Sequence, residues 1–300
     1  MDGCTVSALA DGAGSAQLSH FGADAVTKAI CEFIAKNFDY ILADGNGVNV
    51  KREILVNAGN CLQKLGKKLK NPVKDLASTL LFVAEKAGTF IICHIGDGVV
   101  GYVKEGKVLV ASHPENGEFA NTTVFTTSPN ALATMKLIKG RLNQISSFVL
   151  MSDGTENSFY NKREGRLSQS LAKLSTLASV CDGNVMSEKL RLAFEGLVKQ
   201  KTSDDCSMVL MAKTAPGRGY IDLPEASKCQ ILNLPKIRKS VKRLDSFDSI
   251  LDATRSWQSP KAIAKRLHMH QHKVERSLRR LNDAGLADVR EDGRYKSTLR

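Results

Sequence analysis

The sequence predicts an α+β fold in which β-sheets pack together and helices cover them. Three observations lead to this prediction: two segments with helical periodicity at 19–38 and 50–69, a run of short strands at 79–110, and a second pair of helices before a closing strand at 206–212. Elements in this order bury one face of each layer against the next. With 300 residues, 42% of them hydrophobic, the chain can build such a core.

The two N-terminal helices are predicted from apolar residues spaced three and four apart. The first begins at Ser19, a residue suited to cap a helix N-terminus, and reaches Phe38. The second runs from about Val50 to Leu69. Its lysines are expected to form a solvated face: Lys64, Lys67, Lys68 and Lys70.

Short β-rich segments separated by glycine-containing turns predict an antiparallel meander at 79–83, 89–93, 99–103 and 107–110. Residues 116–130 are predicted as a polar loop region and 146–151 as a further strand. Helices are then predicted at 168–180 and 185–201, ahead of the closing strand at 206–212.

The positive charge of the chain is concentrated near its C-terminus. Residues 236–300 hold 17 Lys and Arg against 8 Asp and Glu, so this last fifth carries most of the net charge of +12. Such an imbalance indicates a basic interaction module, with nucleic acid as the first candidate partner.

The sequence shows no membrane or secretion signal. No apolar run approaches the roughly 20 residues that span a bilayer, and residues 1–4 lack the start of a signal peptide. We therefore predict a cytoplasmic protein without a membrane partner. The seven cysteines are an odd number without a Cys-x-x-Cys pair, which is typical of reduced, buried thiols.

Four aspartates lie where apolar runs end or begin. Asp11 opens the motif Asp-Gly-Ala-Gly-Ser, and Asp97 stands in Gly-Asp-Gly. Asp153 closes a strand as Asp-Gly, and Asp204 precedes the last strand. Several carboxylates at strand ends, with no histidine among them, are a ligand set for Mg²⁺ or Mn²⁺ rather than zinc. Each Asp-Gly alone is also typical of an ordinary turn. The order and spacing of the four aspartates therefore decide between turns and a metal site.

These four aspartates, in this order and with these neighbours, resemble the type 2C metal-dependent protein phosphatases. The resemblance is to the bacterial-type branch, whose first motif reads Asp-Gly-Ala-Gly-Ser, and it spans residues 1–213. Secondary matches lie at Asp75–Leu80 and Gly117–Phe125; within the second, Glu118 and Asn121 are either active-site rim or ordinary loop residues. The resemblance implies a four-layer α-β-β-α sandwich of two antiparallel sheets flanked by helices, with metal ions at one end.

The resemblance also implies roles for individual residues. In this family the first aspartate bridges two metal ions and the next carbonyl binds one of them, which implies these roles for Asp11 and Gly12. Asp153 and Asp204 match the acids of the other metal site, and Asp97 matches a third, weaker position. We therefore expect two or three Mn²⁺ or Mg²⁺ ions, with Asp11, Asp153 and Asp204 as the catalytic residues. Two such ions activate a water that attacks a phosphomonoester, which implies phosphoserine and phosphothreonine proteins as substrates.

The sequence departs from the family pattern near its N-terminus. Family members carry another strand before the first Asp-Gly, with an acid for the second metal, whereas only ten residues precede Asp11. Asp2 could substitute for that acid, although its position is more typical of a turn. We expect either that the true chain begins upstream or that the enzyme is impaired. Ala13 replaces a histidine of some members, and Asp205 stands where Asn is common and is expected near the metals without necessarily binding.

The C-terminal residues predict a second, small unit. It contains in order helices at 247–257, from Ser259-Pro260 and at 273–284, then a hairpin at 286–296 that turns at Asp292-Gly293. This succession resembles the winged helix-turn-helix family over 246–298. The predicted domains are therefore a phosphatase-like domain at 1–213, a linker at 214–245 and a winged-helix domain at 246–300.

The winged-helix resemblance implies duplex DNA as a partner. In this family the third helix enters the major groove and the hairpin reaches the DNA backbone. The candidate nucleic-acid contacts are Gln271, His272, Lys273, Arg276, Arg279, Arg280, Arg294 and Lys296. The alternatives are a protein-docking winged helix or a solvated basic face.

Together these features predict a cytoplasmic serine/threonine phosphatase in signalling, coupled to a DNA-binding unit. One alternative is a catalytically impaired phosphatase-like regulator that senses a phosphoprotein. Another is a DNA-binding protein in which the metal domain serves as scaffold.

Overall fold

The computed structural model describes residues 3–115, 123–215, 217, 219–235 and 243–300. The chain forms two compact units. The first unit comprises Met1–Leu171 and Glu195–Met211, and the second comprises Ala172–Phe194 and Ala212–Arg300.

The strands are β1 (Thr5–Leu9), β2 (Leu80–Lys86), β3 (Thr89–Ile95), β4 (Val99–Lys104), β5 (Lys107–Ser112), β6 (Lys136–Arg141), β7 (Ile145–Met151), β8 (Tyr160–Asn161), β9 (Arg166–Leu167), β10 (Met208–Ala212), β11 (Ala287–Val289) and β12 (Tyr295–Ser297). The α-helices are α1 (Ser19–Ala43), α2 (Val48–Leu69), α3 (Ala131–Thr134), α4 (Glu156–Phe159), α5 (Ser170–Val180), α6 (Gly183–Ala193), α7 (Glu225–Ile231), α8 (Leu244–Ala253), α9 (Pro260–Arg266) and α10 (Gln271–Asp283).

Two four-stranded sheets dominate the first unit. Their strand orders are β1-β2-β3-β6 and β10-β7-β4-β5. The pairs β1–β2, β2–β3, β3–β6, β4–β5 and β4–β7 are antiparallel. The prediction of a single meander is wrong, because its four strands are divided between the two sheets. Short turns join β2 to β3 and β4 to β5 as antiparallel neighbours, and the chain passes from one sheet to the other between β3 and β4. Within the described ranges β1 pairs with β2 alone, so it forms an edge of its sheet.

Strand β2 separates two hydrophobic layers because successive side chains point to opposite faces of a sheet. Leu80, Phe82 and Ala84 pack in one cluster with α1 and α2. Leu81 and Val83 pack in the other, which also contains residues of β4 and β7. The first unit is therefore layered as a helix pair, a sheet and a second sheet.

The mixed α+β fold with two antiparallel sheets is confirmed. The predicted fourth layer and the predicted domain boundaries at 213 and 245 stay predictions. Within the predicted linker, Gly219–Asp222 forms a 3₁₀ turn, α7 follows it, and Tyr220 is buried. The predicted loop region 116–130 lies partly outside the described residues. Asp2, Glu118 and Asn121 lie outside them.

Several elements differ from the sequence prediction. Strand β6 and the hairpin of β8 and β9 were not predicted. The sequence of β6, Lys-Leu-Ile-Lys-Gly-Arg, lacks a clear apolar face because the strand lies at a sheet edge and is half-buried. The helix predicted at 185–201 ends as α-helix at Ala193 and continues as a π-helical turn (Phe194–Val198) and a 3₁₀ turn (Lys199–Lys201), in line with the low helix propensity of Gly196.

The second unit contains the three C-terminal helices predicted from the sequence, followed by the predicted hairpin. Ser259 caps α9 by accepting a hydrogen bond from the Ala262 N–H at 3.2 Å, and Pro260 occupies the first turn. Gly285 follows α10 with a φ of +82°, which a glycine adopts without strain. The hairpin turns at Gly293, which has a φ of +76°.

None of the helices in the described part of the chain combines the length and the apolar character needed to cross a bilayer.

His94 lies on β3 and is buried. Its Nε2 lies 2.9 Å from the Gly96 carbonyl and its Nδ1 lies 2.7 Å from the Ser112 hydroxyl. Because a carbonyl only accepts, Nε2 carries the proton of the neutral ring and Nδ1 accepts from Ser112. Burial lowers the pKa of His94 to about 4; the Lys136 charge also lowers it, while the Gly96 hydrogen bond and the Glu115 charge oppose the shift.

We predict that His94 makes the fold acid-sensitive. Its folded pKa of about 4 lies below the ordinary histidine value of 6.5, so its contribution to stability is present above pH 6.5 and is lost as the pH falls toward 4. The free energy of unfolding should drop by about 2 to 3 kcal/mol more in the wild type than in His94→Gln between these pH values. Denaturant unfolding of both proteins at several pH values measures this difference. The same pH dependence of the free energy of unfolding in both proteins would contradict the assignment.

A pair of helical glycines allows a test of the packing of α1. A Cβ at Gly22 would lie 2.0 Å from the Leu76 carbonyl oxygen, whereas a Cβ at Gly59 of α2 would meet nothing within 4 Å. Gly22→Ala should lower the free energy of unfolding by about 2 kcal/mol or more because backbone must move. Gly59→Ala, the matched control, should raise it by about 0.5 to 1 kcal/mol through helix propensity. Denaturant unfolding decides, and a neutral Gly22→Ala would refute the close approach.

Candidate active site

Asp11 lies just beyond β1 and is fixed by backbone hydrogen bonds. Its N–H donates to the Thr79 hydroxyl at 2.8 Å, and its carbonyl accepts from the Thr79 N–H at 2.8 Å. The Ala13 N–H donates to the Ala77 carbonyl at 3.0 Å. These bonds hold residues 11–13 against residues 77–79, so the position of the Asp11 side chain is set by the strand ladder.

The carbonyl of Gly12 is available as an oxygen ligand. Gly12 forms an isolated antiparallel bridge with Ser78, and the hydrogen bonds of Asp11 and Ala13 flank this pair. In an antiparallel ladder such a pair is the non-hydrogen-bonded one, so the Gly12 N–H and carbonyl point away from Ser78. A Cβ at Gly12 would lie 2.6 Å from the Ser19 hydroxyl oxygen, which explains the glycine.

Ser152 joins the end of β7 to the segment that carries Asp204. Its N–H donates to the Ser207 carbonyl at 3.0 Å, and its hydroxyl accepts from the Ser207 N–H at 3.0 Å. The same hydroxyl donates to the Asp205 carbonyl at 3.2 Å. Asp153 follows Ser152 directly, so these bonds bring Asp153 and the 204–207 segment together.

Gly154 permits this close approach. A Cβ at Gly154 would lie 2.2 Å from the Asp205 carbonyl oxygen. The Gly154 N–H also donates to Asp153 Oδ1 at 2.8 Å, which orients that carboxylate. Asp204 Oδ1 in turn accepts from the Asp205 N–H at 2.9 Å.

Asp97 lies in the turn between β3 and β4. Gly96 has a φ of +112°, and a Cβ there would lie 2.5 Å from a methyl group of Thr79. The Gly96 carbonyl accepts from the Glu115 N–H at 3.0 Å and contacts His94. The Thr123 hydroxyl donates to Asp97. The turn is therefore held by bonds from three sides.

The electrostatics show that the four predicted aspartates face one another. The pKa of Asp11 is raised to about 7 by burial first, then by the charge of Asp153 and a hydrogen bond to it, and then by the charges of Asp204 and Asp97. Burial and the charges of Asp97 and Asp204 also raise the pKa of Asp153, against the hydrogen bonds from Asp11 and Gly154. The charges of Asp153, Asp204 and Asp97 all raise the pKa of Asp11, so the group favours a cation.

The chemistry of the donor set fits Mg²⁺ or Mn²⁺. Carboxylates and a backbone carbonyl supply only hard oxygen ligands, which these ions prefer. Within the described ranges, however, no three His, Cys, Asp or Glu side chains stand in the arrangement of a formed metal site. The residues fit these ions by their chemical type.

The structure adds an ion pair that sequence reasoning missed. Glu156 begins α4, is 9% exposed and pairs with Lys162 of the β8–β9 hairpin. Burial raises the pKa of Glu156 although Lys162 lowers it, and the charges of Asp153 and Asp97 raise it further. The hydrogen bond to Glu156, and then the charges of Glu156, Asp153 and Asp97, raise the pKa of Lys162 against desolvation. In the sequence, the only indication that Glu156 lies near the aspartates was its position three residues after Asp153.

The predicted nucleic-acid contacts all belong to the second unit. On α10 the exposed residues lie opposite the buried Val274, Leu278 and Leu281. The exposed set is Gln271, His272, Lys273, Arg276, Arg279 and Arg280. On the hairpin Arg294 and Lys296 are exposed, and Arg294 Nε pairs with Asp292 at 2.8 Å.

Comparison with solved structures gives similar phosphatases at low sequence identity. The serine/threonine phosphatase Stp1 from Staphylococcus aureus is 15% identical, with 70% of this chain and 84% of that chain covered and a TM-score of 0.44. The S. agalactiae serine/threonine phosphatase is 16% identical, with coverages of 71% and 88% and a TM-score of 0.47. A bacterial serine phosphatase is 15% identical, with coverages of 71% and 87% and a TM-score of 0.49.

In sequence, no curated protein matched the chain. The protein phosphatase 2C family matches residues 1–195. This match spans well over half of the 300 residues and includes Asp11, Asp97 and Asp153. The chain therefore belongs to the protein phosphatase 2C family.

Proposed function

We propose that this chain hydrolyses phosphoserine and phosphothreonine in protein substrates with the help of Mn²⁺ or Mg²⁺. The observation that carries the proposal is the convergence of Asp11, Asp97, Asp153 and Asp204, whose charges act on one another. Family membership supports a phosphatase. The oxygen-only donor set supports the choice of metal.

Each residue of the group has a distinct part in the proposal. Asp11 and the Gly12 carbonyl would hold the ions between them, Asp153 and Asp204 would complete the binding, and Asp97 would serve a third, weaker position. When bound, the ions supply Lewis-acid polarisation of the phosphate and lower the pKa of a water nucleophile.

The chain itself supplies preorganisation. The strand ladder fixes Asp11, and the Ser152 bonds fix Asp153 relative to the Asp204 segment. Groups that are already aligned need little rearrangement when charge develops in the transition state.

A cysteine nucleophile is not part of the proposal. Cys206, which is the cysteine next to Asp204 and Asp205, donates from Sγ to the Gly154 carbonyl at 3.3 Å. Burial raises the pKa of its thiol, and the nearby acids raise it further against Lys199. A raised pKa disfavours the thiolate that such chemistry requires, which agrees with the proposed water nucleophile.

We predict that Asp153→Asn abolishes Mn²⁺-dependent hydrolysis of p-nitrophenyl phosphate and of a phosphothreonine peptide. The loss should exceed about a hundredfold, because outer partners of metal ligands already cost about 10- to 100-fold. The matched control is Asp205→Asn, which changes the exposed neighbouring acid and should retain most of the activity. Retained activity in Asp153→Asn would refute the ligand assignment. A wild-type chain that releases no phosphate with Mn²⁺ would instead favour the catalytically impaired regulator.

We also propose that residues 246–300 form a winged helix that binds duplex DNA. Helices α8, α9 and α10 precede the β11–β12 hairpin, and Gln258 exchanges two backbone hydrogen bonds of 2.9 Å with Tyr295. Gln258 thereby extends the hairpin by a third short segment. The exposed basic face of α10 is the specific observation that favours nucleic acid, because Lys and Arg neutralise phosphates.

The hairpin offers a further basic contact with a defined orientation. The Arg290 guanidinium lies 4.1 Å from the centre of the Trp257 ring. A guanidinium stacked on an aromatic face is restricted in orientation. Its place on the hairpin suits a contact with the DNA backbone.

We predict that Arg276→Gln with Arg279→Gln lowers duplex affinity and reduces the slope of log K against log salt by about two, one for each lost phosphate contact. The matched control is Lys67→Gln with Lys68→Gln on the exposed face of α2, which removes the same charge. Fluorescence anisotropy of a labelled duplex at several salt concentrations measures both quantities. A flat salt response in the wild type, or an equal effect of the control, would reject DNA binding by α10.

A further inference from the structure

The β8–β9 hairpin is a basic element of the first unit that the proposed mechanism does not use. It turns through Lys162 and Arg163, with Arg166 on its returning strand. The side chains of Lys162 and Arg166 are 71% and 78% exposed, and Arg163 is exposed as well. Lys162 pairs with Glu156, whereas Arg166 lies 3.7 Å from Glu164, a long contact between exposed groups.

The hairpin is anchored to the sheet and not a loose loop. The Tyr160 hydroxyl lies 2.9 Å from His113 Nδ1. Leu167 is buried, and its methyl group is so close to Gly101 of β4 that a Cβ there would lie 2.3 Å from it. Anchoring at both strands holds the cations of the turn in a defined place.

The hairpin lies beside the four aspartates. Glu156 begins α4 three residues after Asp153, and Lys162 binds Glu156. The charges of Asp153 and Asp97 act on Lys162 as well. Lys162 therefore ties the hairpin to the border of the candidate metal centre.

A second basic segment is tied to the same short helix. The Asn157 side-chain amide donates to the Lys201 carbonyl at 3.1 Å, which joins α4 to the 3₁₀ turn Lys199–Lys201. Lys199 and Lys201 are exposed, and neither has an acid partner in the part of the chain that is described. The charge of Lys199 reaches Cys206, two residues after Asp204.

We propose that these cations select phosphoprotein segments with acidic residues beside the phosphorylated residue. The surface, here called the basic rim, consists of Lys162, Arg163, Arg166, Lys199 and Lys201. This proposal rests on the proposed phosphatase function of the neighbouring aspartates. A substrate whose phosphate lies at the aspartates has its flanking residues within reach of one or both basic segments, and complementary charge favours acidic ones.

Direct binding tests the rim independently of catalysis. Fluorescein-labelled peptides carry a non-hydrolysable phosphonate analogue of phosphothreonine, flanked in one peptide by glutamates and in the other by lysines. With Mn²⁺ at about 50 mM salt, the wild type should bind the acidic peptide about tenfold more tightly, since two or three exposed ion pairs contribute about this much in sum. The preference should shrink as salt rises.

Variants identify the residues responsible. Arg163→Glu with Arg166→Glu, and separately Lys199→Glu with Lys201→Glu, should remove most of the preference for the acidic peptide. Lys67→Glu with Lys68→Glu on α2 makes the same charge change elsewhere in the first unit and should leave the preference intact. Thermal unfolding checks that each variant is folded, and Arg163→Gln with Arg166→Gln gives a milder change if reversal destabilises the hairpin.

The outcomes separate the rim from the phosphatase itself. Equal binding of the two peptides by the wild type, or an equal loss in the α2 control, overturns the rim. Hydrolysis of p-nitrophenyl phosphate by the wild type is measured beside the binding. If this small substrate is not hydrolysed, the proposed activity fails, while the peptide preference still decides whether the rim selects acidic segments.

Discussion

The mutual repulsion of partly buried carboxylates is the constraint on which the first unit depends. The charges of Asp97, Asp153 and Asp204 act on Asp11, and burial adds to the cost of the charges of Asp11 and Asp153. A flexible chain would separate such groups. They stay together because the strand ladder fixes Asp11, and three hydrogen bonds of Ser152 join the segment of Asp153 to that of Asp204. The rigid sheets thus hold the carboxylates close together against their electrostatic repulsion.

Glycines carry much of this arrangement because the backbones meet closely. A side chain at Gly154 would lie 2.2 Å from the Asp205 carbonyl, and one at Gly12 would lie 2.6 Å from the Ser19 hydroxyl. The glycines after Asp11 and Asp153 are therefore packing requirements in addition to turn residues. In the Asp-Gly motif, the aspartate supplies the carboxylate, and the glycine allows a neighbouring chain segment to approach closely.

Periodicity was sufficient to predict the elements that bury a clear apolar face, such as α1, α2 and the strands β2 to β5, but not the division of these strands between two sheets. It failed for β6 and for the β8–β9 hairpin, where basic residues stand on short or edge strands. The Glu156–Lys162 pair could not be predicted because it depends on the hairpin folding back onto α4. The four aspartates were predictable from their neighbours, whereas the fixing of Asp153 and Asp204 by Ser152 is visible only in three dimensions.

Asp204 shows how sequence and structure support different parts of the site. The family match ends at residue 195, so it includes Asp11, Asp97 and Asp153 but not Asp204. The place of Asp204 in the group rests on its charge at Asp11 and on the bonds between Ser152 and the 204–207 segment. A π-helical turn that begins at the end of the match and a 3₁₀ turn precede Asp204, where a regular helix was expected. Asp204 thus follows an irregular helical stretch, and the hydrogen bonds of Ser152 fix the segment that carries it.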